Sequence, residues 1–331
     1  MAELLASRWI EASEARETSL AAVRHLWLAS GVGLQRVSVG RDGRLGTRAV
    51  PVLPTEDLGW LRSVSIDTTS GTRVMIGGQL GVGIFEAGRR RWECYRYPSG
   101  WVYPSTPVRG GANAVQLSEH FAIASHSELG LCAWPRAGGP IERWAPEGQP
   151  IRGGRGLHRV GTDQFRLAAG RAVWQLTIQD GAPRFDLLGT LDSSVTALAT
   201  HNGRTLVGTR QGRLFRLDAG KAVPFDFRSV LPVYSIARDS AEGAGGWIVG
   251  TREHEVRVLD DDGHLVRVHQ SRYPIRWVAS GGGELFGVDR MGLGLSQWSS
   301  NETDGSIAPL RVSDRIQSLA VECESMEGGA A

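Results

Sequence analysis

Residues 205–218, TLVGTRQGRLFRLD, carry the pattern that decides the fold: a short apolar run, a turn of Thr, Arg, Gln and Gly, and a second apolar run closing on a large residue. Two such runs flanking a polar turn read as antiparallel strands. Ahead of them VTALAT (195–200) reads as an inner strand, apolar on both faces, and RTLVGT (204–209) as the second. RLFRLD (213–218) is then the third, and AVPFDFR (222–228), which alternates apolar residues with charge, is the outermost. YSIAR, GWIVGT, EVRVLD and HLVRVHQ repeat the unit directly downstream, with turns at the same places.

The same line recurs along the whole chain. It is LWLASGVGLQRV (26–37), VMIGGQLGVGIF (74–85), FAIASHSELGLCAW (121–134), FRLAAGRAVWQL (165–176), TLVGTRQGRLFRL (205–217), WIVGTREHEVRVL (247–259) and LFGVDRMGLGLSQW (285–298). The closing residues Val37, Phe85, Trp134, Leu176, Leu217, Leu259 and Trp298 stand 39–49 residues apart. Seven units of that period predict an all-β fold, a seven-bladed β-propeller of four-stranded antiparallel blades. A two-sheet sandwich would space its strands without a superperiod of about 40 residues. A four-stranded sheet cannot bury both faces alone, so radial stacking must supply the core. DRIQSLAVE (314–322) matches the inner-strand entry DSSVTALAT (192–200), and TSLAAV (18–23) is also inner-strand-like. Either could complete the first blade and tie the chain ends together. Leu4, Leu5, Trp9 and Ile10 fall at helical spacing. The predicted organisation is a short N-terminal helix over 1–17, a propeller over 18–322 and a polar tail over 323–331.

Composition agrees. The chain has 331 residues, 44 of them Gly, and hydrophobic residues make up 41%. That is enough for a large core and excludes a disordered chain. Net charge is only +2, and every basic residue except Lys221 is arginine. Cys94, Cys132 and Cys323 form neither a disulfide framework nor a zinc motif, which suits a reducing cytosol. The N-terminus has acidic residues where a signal peptide needs a basic region, and no apolar stretch is long enough for a membrane helix. A cytoplasmic protein without membrane contact is expected.

No catalytic, phosphate-loop or metalloprotease motif is present, so no enzyme, cofactor or metal is expected. His126 near Glu128, His254 between Glu253 and Glu255, and Asp260–Gly263 read as turn residues rather than metal ligands. Arginine recurs by position. Arg210, Arg252 and Arg290 end the second strand of three successive units, and Arg62, Arg152, Arg276 and Arg315 sit at the entry to the inner strand. Both positions face the mouth of the central channel, where guanidinium forks suit carboxylates or phosphates. The competing reading is that each arginine stacks on a neighbouring blade or pairs with Asp192, Asp289 or Asp314. The longest connection, 95–111, interleaves Tyr95, Tyr97, Trp101 and Tyr103 with Pro and Gly. Tyr97, Trp101 and Tyr103 are either partner anchors or a plug over the blade junction.

FRLD (215–218) and RVLD (257–260) stand where WD40-type blades end their third strand in Trp-Asp, so the repeats resemble degenerate WD40 blades. SHSELGLCAWP (125–135) also resembles bacterial propellers associated with MoxR-type AAA ATPases and von Willebrand A-type proteins. That resemblance implies a non-enzymatic scaffold in a bacterial ATPase-linked assembly, with an AAA ATPase or von Willebrand A-type protein as partner. A propeller hydrolase or lactonase, or an anionic-ligand or nucleic-acid binder using the same arginines, are the other readings. Near-neutral charge and a single lysine argue against nucleic acid.

Overall fold

The computed structural model describes residues 23–40, 44–46, 48–54, 56–67, 72–86, 89, 91–101, 110–147, 151, 154–218, 221–239, 246–299, 306–308 and 315–323. The predicted helix over 1–17 lies outside them, as do Arg152, Tyr103 and Asp314. The described strands form seven four-stranded antiparallel sheets. Six are continuous in sequence and are numbered blades 2 to 7: residues 61–96, 112–144, 154–190, 195–228, 235–270 and 275–308. Blade 1 is split. Val23–Ser30, Gly33–Ser38 and Val50–Pro54 supply three strands, and Ile316–Cys323 supplies the innermost. The innermost strands stand side by side in blade order, and Ile316–Cys323 packs beside both Ile275–Gly281 and Leu61–Asp67, closing the ring.

The repeat read from sequence is the blade. Blade 5 consists of Val195–His201, Arg204–Thr209, Arg213–Asp218 and Lys221–Arg228, within one residue of the sequence expectation. Each closing residue of the repeat lies in a third strand opposite the second: Val37 faces Leu26, Leu176 faces Phe165, and Trp298 faces Leu285. Of the two segments that could complete blade 1, the C-terminal one does so, pairing Val321 with Leu26 and Leu319 with Leu28.

Alternation explains why the inner strands are apolar on both faces. Successive side chains of a strand point to opposite sides, so Leu206 packs toward blade 6 while Val207 packs toward blade 4. The buried apolar residues accordingly separate into seven clusters, one at each junction between neighbouring blades. Near the axis the space is tight. A Cβ on Gly156 would sit 2.7 Å from the Cβ of Leu198 on the next blade. Short polar side chains link inner strands there: Ser65 Oγ donates to Val115 O (2.8 Å), Asn113 Nδ2 to Gly154 O (2.7 Å) and Ser235 Oγ to Arg276 O (2.9 Å).

The closing strand also carries a buried carboxylate. Glu322 is 3% exposed and accepts a hydrogen bond from Trp27 Nε1 at 2.7 Å, with His25 Nδ1 at 3.2 Å. Trp27 and His25 are completely buried.

One turn carries a strict glycine requirement. Gly212 has φ +74°, and a Cβ there would lie 2.1 Å from Ser229 O and 2.7 Å from Leu231 O. Both oxygens belong to the connection into blade 6, so neither can yield cheaply. Gly212→Ala is expected to destabilise the fold by about 2–3 kcal/mol, checked by urea denaturation.

Candidate binding face and central channel

Each innermost strand starts at the same rim of the ring, and each second strand returns to it. The turns before the first and after the second therefore share one face. Backbone hydrogen bonds tie these turns together: Arg210 N donates to Ser194 O (2.9 Å), Arg252 N to Ile275 O (2.6 Å) and Arg290 N to Pro274 O (2.7 Å). Arg210, Arg252, Arg290, Arg62, Arg276 and Arg315 all lie on this face, as the positional recurrence predicts. The connection between blades 2 and 3 opens on it too.

The inner-strand entry has its own geometry. In blades 2, 3, 4, 5, 7 and 1 the pairing slips by one residue there, leaving Arg62, Asn113, Arg155, Thr196, Arg276 and Gln317 as bulge residues. Tyr234 takes the equivalent place in blade 6, its N–H donating to Gly250 O at 2.9 Å. A bulge sets two residues against one and re-aims the extra side chain. Here all seven line a cavity of about 640 Å³ at the top of the channel. Arg155 takes the place in blade 4 that the sequence reading assigned to Arg152. In blade 1 the place is filled by Gln317, with Arg315 exposed at the rim beside it.

The channel is strongly positive. Arg62, Arg155, Arg210 and Arg276 line it, and no Asp or Glu stands among its described lining residues. Burial, and then its neighbours Arg252, Arg155 and Arg62, hold Arg276 down at about 10, with Tyr234 opposing. Burial and then Arg155 lower Arg62 as well. Both stay charged at neutral pH. The Nε atoms of Arg62, Arg252 and Arg276 are buried without a hydrogen-bond partner among the described residues.

Stacking accounts for part of the cluster. The Arg252 guanidinium lies 3.9 Å from the centre of the Tyr234 ring, and Arg276 lies 5.4 Å from the same ring and 4.6 Å from that of Trp277. Such contacts contribute about 0.5–2 kcal/mol and leave the fork edges available. Arg252 has φ +66°, a left-handed conformation that stores strain at the rim. Three nearby carboxylates among the described residues are engaged elsewhere. Asp192 pairs with Arg213 (3.2 Å), Glu253 pairs with Arg257 (2.9 Å), and Asp289 accepts from Leu293 N (3.2 Å) within its own turn.

The aromatic residues of the 95–111 connection divide. Tyr97 is buried, its ring 5.1 Å from both Trp134 and His126, so it fills the junction of blades 2 and 3. Trp101 is half-buried against the same core, with Arg143 stacked 5.7 Å from its ring centre. Instead, the apolar surface of this face comes from Val32, Trp60, Val230, Leu231, Tyr273, Met291 and Leu293, of which Val230 is 94% exposed.

The histidine and aspartate turns hold themselves together. His126 Nδ1 accepts from the N–H groups of Glu128 and Leu129, each at 3.0 Å. His254 Nδ1 is 3.1 Å from Arg272 O. Asp260 accepts from Asp262 N and His264 N, while Asp261 pairs with Arg204 and Arg238. Among the described residues no helix is long and apolar enough to cross a membrane.

Seven four-stranded blades and the closing strand make this chain a seven-bladed β-propeller. It is similar to the β-propeller domain of Cps50 (Swd1) from Myceliophteria thermophila, with a TM-score of 0.58 and 14% identity over 77% of this chain and 88% of that one. A chain of the mitotic checkpoint complex superposes with a TM-score of 0.61 and 12% identity over 97% of this chain and 92% of that one. The computationally designed protein Ika8 gives 0.59 and 12% over 93% and 92%. No protein-family model matches the sequence, and no curated protein matches it.

Proposed function

We propose that this propeller is a non-enzymatic protein-interaction scaffold whose arginine-bearing face receives an acidic segment of a protein partner. The observation that carries the reading is the make-up of that face. Exposed Val32, Trp60, Val230, Leu231, Tyr273, Met291 and Leu293 surround arginines whose nearby carboxylates pair elsewhere. Apolar anchors among arginines that pair with no carboxylate among the described residues are what partner-binding surfaces use. Structural neighbours that include a chain of the mitotic checkpoint complex support it by fold. Arginines in the channel would repel a divalent cation, which weighs against a metal-dependent propeller hydrolase.

The ATPase-linked role, with an AAA ATPase or von Willebrand A-type protein as partner, rests on residues 125–135. Ser125, His126, Cys132 and Ala133 there are completely buried, so the segment encodes blade 3 core rather than partner surface. The test is affinity capture by the tagged full-length protein from its own host, with mass spectrometry. One protein retained at about 0.15 M salt is expected, and lost with Arg290→Glu and Arg315→Glu combined. A retained set indifferent to those charges would overturn the face assignment.

A further inference from the structure

We propose that the mouth of the central channel is a binding site for a small molecule carrying two or more phosphate groups. The site lies inside the ring, whereas the scaffold reading uses the rim and outer turns, so the two stand independently.

The argument starts from placement. Arg62, Arg155 and Arg276 come from blades 2, 4 and 7, spread around the ring, and the bulges turn all three inward. Arg210 adds a fourth cation. Like charges gathered without a carboxylate raise the energy of the empty site, and an anion lowers it. The Nε groups of Arg62 and Arg276 are buried and have no acceptor among the described residues, each a donor that a ligand oxygen would satisfy. The Arg276 side chain is held in place by Tyr234 and Trp277, so little rotamer freedom remains to be lost on binding.

Geometry selects phosphate. A carboxylate offers two oxygens in one plane and satisfies one guanidinium fork. Guanidiniums converging from three directions need oxygens that radiate, as on the tetrahedral phosphorus of a phosphate, and four cations need several negative charges. The cavity of about 640 Å³ is in the range of small-molecule sites and is too confined for a duplex. Gln317 and Asn113 add amides between the arginines.

The test is isothermal titration calorimetry of the full-length protein at constant ionic strength, with tripolyphosphate as probe and citrate as the carboxylate comparison. One-to-one binding of tripolyphosphate, at least about tenfold tighter than citrate, is expected. Arg62→Gln and Arg276→Gln, each checked for native circular dichroism, should weaken it about tenfold or more. Arg290→Glu, at the outer rim, should leave it unchanged while weakening partner capture. No binding at about 1 mM tripolyphosphate, equal affinity for citrate, or undiminished binding by the folded arginine variants would overturn the proposal. A doubly phosphorylated peptide binding more tightly than tripolyphosphate would overturn the small-molecule assignment.

Discussion

Acidification from about pH 7 to about pH 4.5 is expected to lower the folding stability of this propeller by about 5 kcal/mol, through two histidines. An imidazole in the unfolded chain takes up its proton near pH 6.5. In the fold His126 is held down at about 4 by burial, then by Arg62 and Arg143, and His158 at about 4 by burial in the channel wall. Below pH 6.5 the unfolded chain therefore binds more protons than the folded one. The stability is fully present above that pH and is lost as pH falls toward 4, at a rate of about 1.4 kcal/mol per unit for each histidine. The reason is local. His126 is 0% exposed, its Nδ1 occupied as an acceptor for two backbone N–H groups, so protonation removes that acceptor and buries a charge among arginines. Urea denaturation at pH 7.5, 6 and 5 measures the slope. His158→Gln should recover about half of the loss, and a slope unchanged in that variant would show that His158 titrates normally.

The second large effect belongs to the closing strand. Glu322→Ala should cost about 2–5 kcal/mol, because the Trp27 indole N–H loses its acceptor and His25 its partner inside a sealed site. Glu322→Gln keeps an oxygen for the indole and should lose less than half as much. Equal losses for the two variants would mean that the carboxylate's charge, rather than its acceptor oxygen, holds the strand. Equilibrium denaturation with tryptophan fluorescence reads this directly, since Trp27 lies at the seam.

The blade architecture was legible because the repeat encodes it twice. Leu176, Leu217 and Leu259 recur at nearly constant spacing, and the runs between them alternate in a way only a sheet buried on both faces requires. Closure was half legible. DRIQSLAVE matched an inner strand, but nothing in a one-dimensional pattern separates it from TSLAAV; the pairing of Leu319 with Leu28 does. The channel was harder to read. A bulge breaks the period of two by one residue, so the inward side chain falls where simple alternation places it elsewhere. This is why Arg152 was named and Arg155 was missed. Once the seven entries are aligned the signal is plain: Arg-Ser-Val (62–64), Asn-Ala-Val (113–115), Arg-Gly-Leu (155–157), Thr-Ala-Leu (196–198), Tyr-Ser-Ile (234–236), Arg-Trp-Val (276–278) and Gln-Ser-Leu (317–319). The third residue of each triplet is apolar and is buried between blades, and the first faces the channel. Tyr97 was named for its aromatic setting, but composition cannot say whether a ring leans out or folds back, and this one packs on Trp134.

The strand that seals blade 1 also sets a clock for biosynthesis. His25 and Glu322 are separated by 297 positions. At about 5–20 residues per second a ribosome needs roughly 15–60 s to deliver the second after the first. Through that interval Val23–Ser30 waits with one edge unpaired, able to take the Ile316–Cys323 strand of a neighbouring chain on a polysome. Crowded translation should therefore favour strand-exchanged dimers, and slower initiation, by spacing the ribosomes, should favour the monomer.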